Sequence, residues 1–199
     1  MAKVIQFPKP VVEKFGFKPV RKNVKQVKRI PGQLDLFTQG KVISLNQLSS
    51  FDEALLLDDR GDAKAKEIYQ RAIEEGDSIA DAYCNLGILE SQAGNYSKAI
   101  DCFTKCLTEN PRHFEAHYNL ANLYAEIGNL SLAKVHYQIS IEVEPHFPNS
   151  HFNLGLTLAM NKEIEEAIQS LKSYCRLVSP KDRFQAEELI QTFAQSIGN

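Results

Sequence analysis

The chain has 199 residues, of which 43% are hydrophobic and 24% charged, a composition typical of one globular domain with a tail. No apolar run approaches the ~20 residues needed to cross a bilayer, and the N-terminus lacks the apolar stretch of a signal peptide. Four cysteines are too few for a disulfide framework and suit a reducing compartment. We therefore expect a cytoplasmic protein that does not insert into membranes.

The charge is unevenly distributed along the chain. Residues 1–30 contain nine Lys or Arg and one acid, a net charge of +8, whereas the other 169 residues hold 14 bases and 24 acids, a net charge of −10. Prolines at positions 8, 10, 19 and 31 argue against a compact core. Residues 1–45 are therefore predicted to form a basic, largely extended arm. Its charge would support weak, salt-sensitive binding to nucleic acid, and a solvated tail is the alternative.

One segment of the arm carries a motif of its own. The five residues Gln33, Leu34, Asp35, Leu36 and Phe37 follow Pro31-Gly32. They resemble the peptide that bacterial replication and repair proteins insert into the β sliding clamp, which needs a glutamine and two apolar anchors. A short strand turned back at Gly40, or a spacer docked on the following helices, is the alternative interpretation.

Beyond the arm the sequence repeats every 34 residues, in segments that begin at Asn46, Ala80, Phe114 and Pro148. Alanine recurs in one column, and a large apolar residue follows four positions later. The members are Ala65, Ala99, Ala133 and Ala167, then Tyr69, Phe103, Tyr137 and Leu171. These columns resemble the tetratricopeptide repeat. The resemblance implies an all-α fold, a short right-handed α-solenoid of helix-turn-helix pairs.

The predicted division of the chain follows from this period. The arm spans 1–45, and four repeats span 46–79, which is degenerate, 80–113, 114–147 and 148–180. Residues 181–199 are predicted to form a capping helix that covers the last repeat with Phe184, Leu189, Ile190 and Phe193 on one side. The whole span from Gln33 onward also resembles the tail of bacterial regulators that join a winged DNA-binding domain to such repeats, although the basic stretch of residues 1–30 at the start of this sequence is too short to fold that domain.

In proteins with this repeat, the first helix of each pair lines a concave groove. The resemblance places Asn85, Asn119 and Asn153 there in a single column. Each amide offers donors and an acceptor, which suits the main chain of an extended peptide. The alternative is that asparagine is simply frequent at this position. Further groove residues implied by the resemblance are Tyr118, Phe152, Ile88, Leu156, Asn122, Glu115 and Glu126.

The groove positions of the three regular repeats carry no Lys or Arg, so a neutral or mildly basic segment is the expected ligand. The chain's own arm fits that description, which makes self-association or autoinhibition an alternative. His113 with His117 and Cys102 with Cys106 have helical spacing, but neither pair forms a metal motif. We expect no catalytic, cofactor or metal site.

The expected function is a non-enzymatic scaffold or adaptor that binds a protein or peptide partner. The alternative is a DNA-associated factor recruited by the arm to nucleic acid or to the sliding clamp. The partner's identity and the oligomeric state are not encoded in these patterns.

Overall fold

The computed structural model describes residues 18–20 and 48–197. Within these ranges the chain forms nine α-helices, a short 3-10 helix at Pro180–Asp182, and no β-strand. The helices are α1 Ser50–Asp59, α2 Ala65–Glu74, α3 Ile79–Gln92, α4 Tyr96–Glu109, α5 Phe114–Glu126, α6 Leu130–Val143, α7 Pro148–Met160, α8 Ile164–Leu177 and α9 Phe184–Ile197. None of these helices is long and apolar enough to cross a membrane.

The helices are arranged as four successive pairs that stack into a solenoid. Each odd-numbered helix from α1 to α7 packs most extensively on the helix that follows it, and the pairs then contact their neighbours in chain order. Helix α9 packs on α8 at the C-terminal end. A single pair cannot bury its apolar face alone, so the stacking of neighbours creates the core. The predicted all-α solenoid is confirmed.

The turns inside the pairs require a left-handed backbone. Gly94 and Gly128 adopt φ values of +76° and +83° between α3 and α4 and between α5 and α6. Glycine has no Cβ and enters this region without steric cost. The α7–α8 turn places Lys162 there instead, with φ of +65°. The fourth pair therefore keeps the same turn geometry at the cost of local strain.

The two helices of a pair approach closely where the first helix carries a small residue. A Cβ built on Gly87 of α3 would lie 2.8 Å from Cε1 of Phe103 on α4. A Cβ built on Gly155 of α7 would lie 2.8 Å from Cγ of Leu171 on α8. The large residue of the repeated column thus fills the space that the missing side chain leaves, and Phe103 and Leu171 are fully buried.

Helix α9 covers the last pair through a narrower face than the sequence predicted. Ala186 and Phe193 are buried in the same cluster as α7 and α8, and Leu189 and Ile190 pack partly against it. Phe184 is instead 75% exposed. Phe193 lies nine positions after Phe184, and at 100° per residue the two side chains lie on opposite sides of a helix. The prediction that both cover the last repeat was wrong for Phe184.

Candidate functional site

Three asparagines of the repeated column lie on the first helices of consecutive pairs. Asn85 is on α3, Asn119 on α5 and Asn153 on α7, and all three side chains are buried. These helices bury residues around much of their circumference because they lie between neighbouring helices. A buried amide needs hydrogen-bond partners, since an unpaired one costs free energy. The partners of the three amides therefore define what this surface binds.

Two of the asparagines bond to the backbone of the arm. The Val20 N–H donates to Oδ1 of Asn85 at 2.8 Å, and Nδ2 of Asn85 donates to the Val20 carbonyl at 3.1 Å. Asn119 makes the same pair of bonds to Lys18. The Lys18 N–H donates to Oδ1 of Asn119 at 2.8 Å, and Nδ2 of Asn119 donates to the Lys18 carbonyl at 3.0 Å. Each amide thus satisfies both backbone groups of one residue, and the two residues are separated by one position. This alternation is that of an extended chain.

The side chains of this segment alternate as well. Val20 is 7% exposed and belongs to the apolar cluster that contains Cys84, Ile88 and Leu120. Pro19 is exposed, and it has no N–H that would need a partner. From Lys18 to Val20 the segment runs from α5 to α3, in the direction opposite to the chain order of the helix pairs.

Lys18 directs its ammonium group onto two aromatic rings. Nζ lies 4.0 Å from the centroid of Phe147 and 5.0 Å from that of Phe114. The two rings are in edge contact with each other, with centroids 5.5 Å apart. Burial raises the pKa of the nearby Glu115 carboxyl, while its own backbone N–H and the charges of His113 and Lys18 act in the opposite direction. The cation is therefore held over two ring faces, with the Glu115 carboxyl close enough to interact with its charge.

Asn153 has no such contact with the described part of the arm. Its Nδ2 donates to the Tyr118 hydroxyl at 3.2 Å and to Oδ1 of Asn122 at 3.0 Å. The Tyr137 hydroxyl donates to the same oxygen of Asn122. Oδ1 of Asn153 is buried and, among the described residues, has no hydrogen-bond partner. Within the described part of the chain, the third amide of the column thus has an acceptor that no donor reaches.

The remaining residues predicted for the groove differ in their exposure. Tyr118, Ile88 and Phe152 are buried, and Leu156 is half-buried. Glu126 is exposed and accepts a hydrogen bond from the Tyr96 hydroxyl at 2.8 Å. The residues Gln33, Leu34, Asp35, Leu36 and Phe37 lie outside the described residues, so the sliding-clamp segment stays a prediction.

The sequence analysis missed a buried cluster beneath the second asparagine. Cys84, Cys106 and His113 place one ligand atom each within 4.8 Å of the others. Nδ2 of Asn119 lies 3.6 Å from Sγ of Cys84. The three residues come from three different segments, so no spacing along the chain reveals them.

The surroundings of Cys106 in this cluster favour its thiolate form. A hydrogen bond with Cys84, opposed by burial and aided by His113, lowers the pKa of Cys106. Burial disfavours the charged form of His113, whereas the hydrogen bond between Nε2 and the Asp81 carboxylate acts in the opposite direction and raises the pKa of the ring. Nδ1 of His113 also accepts the Ala116 N–H at 3.1 Å, and this cap of α5 favours the neutral ring.

The same cluster is poorly arranged for a metal ion. Two thiols and an imidazole form a donor set that suits Zn²⁺. Both ring nitrogens of His113 are however engaged, Nδ1 by Ala116 and Nε2 by Asp81 at 3.1 Å. A metal would have to displace one of these bonds. The geometry favours a structural role.

The residue pairs considered from sequence have separate surroundings. Nδ1 of His117 lies 3.0 Å from Nδ1 of His136, and its Nε2 lies 3.1 Å from the Pro111 carbonyl. Cys102 packs against the apolar cluster of α1 to α3, whereas Cys106 belongs to the next cluster. Each residue of these pairs has a different set of neighbours.

Comparison with family models identifies the repeated unit. Two models of the tetratricopeptide repeat match the chain, one over residues 80–113 and the other over residues 102–134 and 136–169. The chain therefore contains tetratricopeptide repeats. No curated protein matches the chain.

Several solved structures share the fold. The crystal structure of MamA has 19% sequence identity and a TM-score of 0.65, covering 74% of this chain and 85% of that one. YrrB, described as a tetratricopeptide-repeat protein with an unusual peptide-binding site, has 21% identity and a TM-score of 0.64, covering 75% and 77%. The first repeat domain of Spaghetti (RPAP3), bound to the HSP90 peptide SRMEEVD, has 19% identity and a TM-score of 0.56, covering 60% and 94%. At these identities the likeness establishes the fold alone.

Proposed function

We propose that this protein is a non-enzymatic interaction scaffold that binds an extended peptide segment of a partner in the groove lined by Asn85, Asn119 and Asn153. The observation that carries the proposal is the paired hydrogen bonding of Asn85 and Asn119 to the backbone of residues 20 and 18. Backbone groups recur in every peptide, so the same bonds are available to a segment of another protein. Of the solved structures of this fold, YrrB is described as having an unusual peptide-binding site, and the RPAP3 repeat domain is bound to an HSP90 peptide.

The groove chemistry narrows the class of peptide. Among the described groove residues, the side chains around Lys18 are aromatic or acidic, and those around Val20 are apolar. The predicted groove positions of the three regular repeats hold no Lys or Arg that could bind the terminal carboxylate of a peptide. The favoured ligand is an internal, extended segment that carries positive charge.

The proposal can be tested with a fluorescent peptide of sequence FGFKPVRKN, which reproduces residues 15–23. Binding is measured by polarisation on the full chain carrying Val20→Asp, so that the chain's own segment is weakened. Replacing Asn85 or Asn119 with alanine in that background removes two hydrogen bonds and is expected to weaken binding at least tenfold, at roughly 1 kcal/mol a bond. Asn161→Ala, which alters an exposed turn asparagine, is the matched control. Thermal melting checks that each variant is folded.

Two results would contradict the proposal. The first is the absence of peptide binding to the Val20→Asp chain at millimolar peptide. The second is equal affinity in the Asn85, Asn119 and Asn161 variants, which would mean that the peptide binds elsewhere.

A further inference from the structure

The backbone bonds of Asn85 and Asn119 do not distinguish one peptide from another. Any extended segment offers an N–H and a carbonyl at every second residue, apart from proline, which lacks the N–H. Selectivity must therefore come from the two side chains that point to the protein, those of Lys18 and Val20. Pro19 between them is exposed and contributes no polar contact to the groove within the described structure.

The first of these side chains occupies a cation site. Phe114 begins α5 and Phe147 precedes α7, so the site lies at the junction of successive helix pairs. The ammonium group faces both rings within 5.0 Å of their centroids. A neutral or acidic side chain at this place would lose the cation–π attraction, and an acidic one would also lose the favourable charge interaction that Lys18 has with Glu115.

The second side chain occupies an apolar site. Val20 is buried in the cluster of α3, α4 and α5, which includes Cys84, Ile88 and Leu120. A branched aliphatic group suits this site because its neighbours are apolar and its backbone is held on the other side by Asn85. A polar or charged residue here would be desolvated without a partner.

The third asparagine offers one more contact to a ligand that extends further toward its own N-terminus. The contacts move from Asn85 to Asn119 as the segment steps back by two residues, from Val20 to Lys18. A further step of two residues leads to Asn153, whose Oδ1 is buried and unpartnered among the described residues. A ligand with an N–H two residues before its lysine can satisfy this acceptor.

From these contacts we infer that residues 18–20 are an intramolecular competitor for the groove, and that a partner carries the same pattern of a lysine two positions before a branched aliphatic residue. This inference rests on the proposed function, since it concerns the regulation and selectivity of the same groove. A partner gains access only by displacing the chain's own segment. A competitor on the same chain is not diluted, so its effect is independent of protein concentration.

The test compares the FGFKPVRKN probe on the wild-type full chain and on the full-length variants Val20→Asp, Lys18→Glu and Pro19→Ser. Removing a buried valine changes an equilibrium by about tenfold or more. Val20→Asp and Lys18→Glu are therefore expected to bind the probe at least tenfold more tightly than the wild type. Pro19→Ser, which changes the exposed central residue, is expected to stay within about threefold of the wild type.

The selectivity is tested with altered probes on the Val20→Asp chain. FGFEPVRKN and FGFKPSRKN each change one of the two inward side chains, and both are expected to bind at least tenfold more weakly. FGFKSVRKN changes the outward residue and serves as the control. Equal affinity of all four probes would overturn the predicted pattern.

The outcomes separate this inference from the proposed function. If the wild type and Val20→Asp bind the probe equally and both depend on Asn85, the groove binds peptides but the competitor does not exist. If no variant binds the probe, the proposed function itself fails. If sedimentation shows a wild-type dimer that Val20→Asp dissociates, the segment occupies the groove of a second copy, and the intramolecular inference is wrong.

Discussion

Replacing Gly87 with alanine tests the close helix crossing that positions the groove. The new Cβ would lie 2.8 Å from Cε1, 2.9 Å from Cδ1 and 3.1 Å from Cζ of Phe103. Favourable carbon contacts lie at about 3.5–4.0 Å, so the ring or the helix must move by more than about 0.5 Å. Phe103 is fully buried, so a shift of its ring would disturb the side chains packed around it.

The expected magnitude follows from two opposing effects. Overpacking a core costs about 1–3 kcal/mol, and alanine gains about 1 kcal/mol over glycine within a helix. Because the contact involves three ring atoms, we expect the clash to dominate and the free energy of unfolding to fall by about 1–2 kcal/mol. In a chain of this length such a loss lowers Tm by roughly 2–8 °C.

The assay is thermal and urea unfolding followed by circular dichroism. Gly155→Ala is the matched second site, since its Cβ would lie 2.8 Å from Cγ of Leu171. Phe103→Leu combined with Gly87→Ala is expected to cost less than the sum of the single changes, because a smaller side chain relieves the contact. A Tm that rises in both glycine variants would show that helix propensity dominates, and it would refute the close crossing.

Three further predictions concern single residues and the arm. Lys162 has a φ of +65°, so Lys162→Gly is expected to stabilise the protein by about 0.5–1 kcal/mol in urea unfolding. Lys162→Ala is the control, and an equal gain from it would contradict the strain. Burial, together with the charge of His117, lowers the pKa of His136 from 6.5 to about 4. The unfolded chain therefore binds a proton that the folded chain does not, and stability is lost as the pH falls from about 6.5 to 4. His136→Gln should reduce the fall in Tm between pH 7 and pH 5, whereas the exposed His146→Gln should not. For the arm, the sliding-clamp alternative predicts that a fluorescent peptide of residues 29–41 binds the bacterial sliding clamp and loses affinity when Leu36 and Phe37 become alanine. No binding at about 0.1 mM peptide would refute that segment.

The fold was predictable because the sequence repeats with a fixed period. Ala99, Phe103 and their counterparts recur every 34 residues, and only a helix pair with one small and one large residue at the crossing explains that recurrence. The same reasoning failed at Phe184, where a list of apolar residues was treated as one face although nine residues of helix reverse the direction.

The site was predictable only in part. The column of Asn85, Asn119 and Asn153 follows from the period, and the sequence also indicated that the basic arm suits the groove. The sequence does not indicate which arm residues form hydrogen bonds with which asparagines, because backbone groups are alike in every extended segment. Phe114 and Phe147 lie outside the positions that line the groove in similar repeats, so the cation site was missed.

The cluster of Cys84, Cys106 and His113 was missed for a different reason. Sequence reasoning paired residues one helical turn apart, such as Cys102 with Cys106. The cluster instead joins two helices and the cap of a third, and such contacts depend on the packing of three segments.

The central claim is that buried asparagine amides hold the backbone of an extended segment. Hydrogen exchange of the Lys18 and Val20 amides in the full-length protein tests it most directly, because each N–H donates to one asparagine. Both amides are expected to exchange at least about tenfold more slowly than in an isolated peptide. Asn119→Ala should release mainly Lys18, and Asn85→Ala mainly Val20. Exchange of both wild-type amides at the rate of the free peptide would contradict the account.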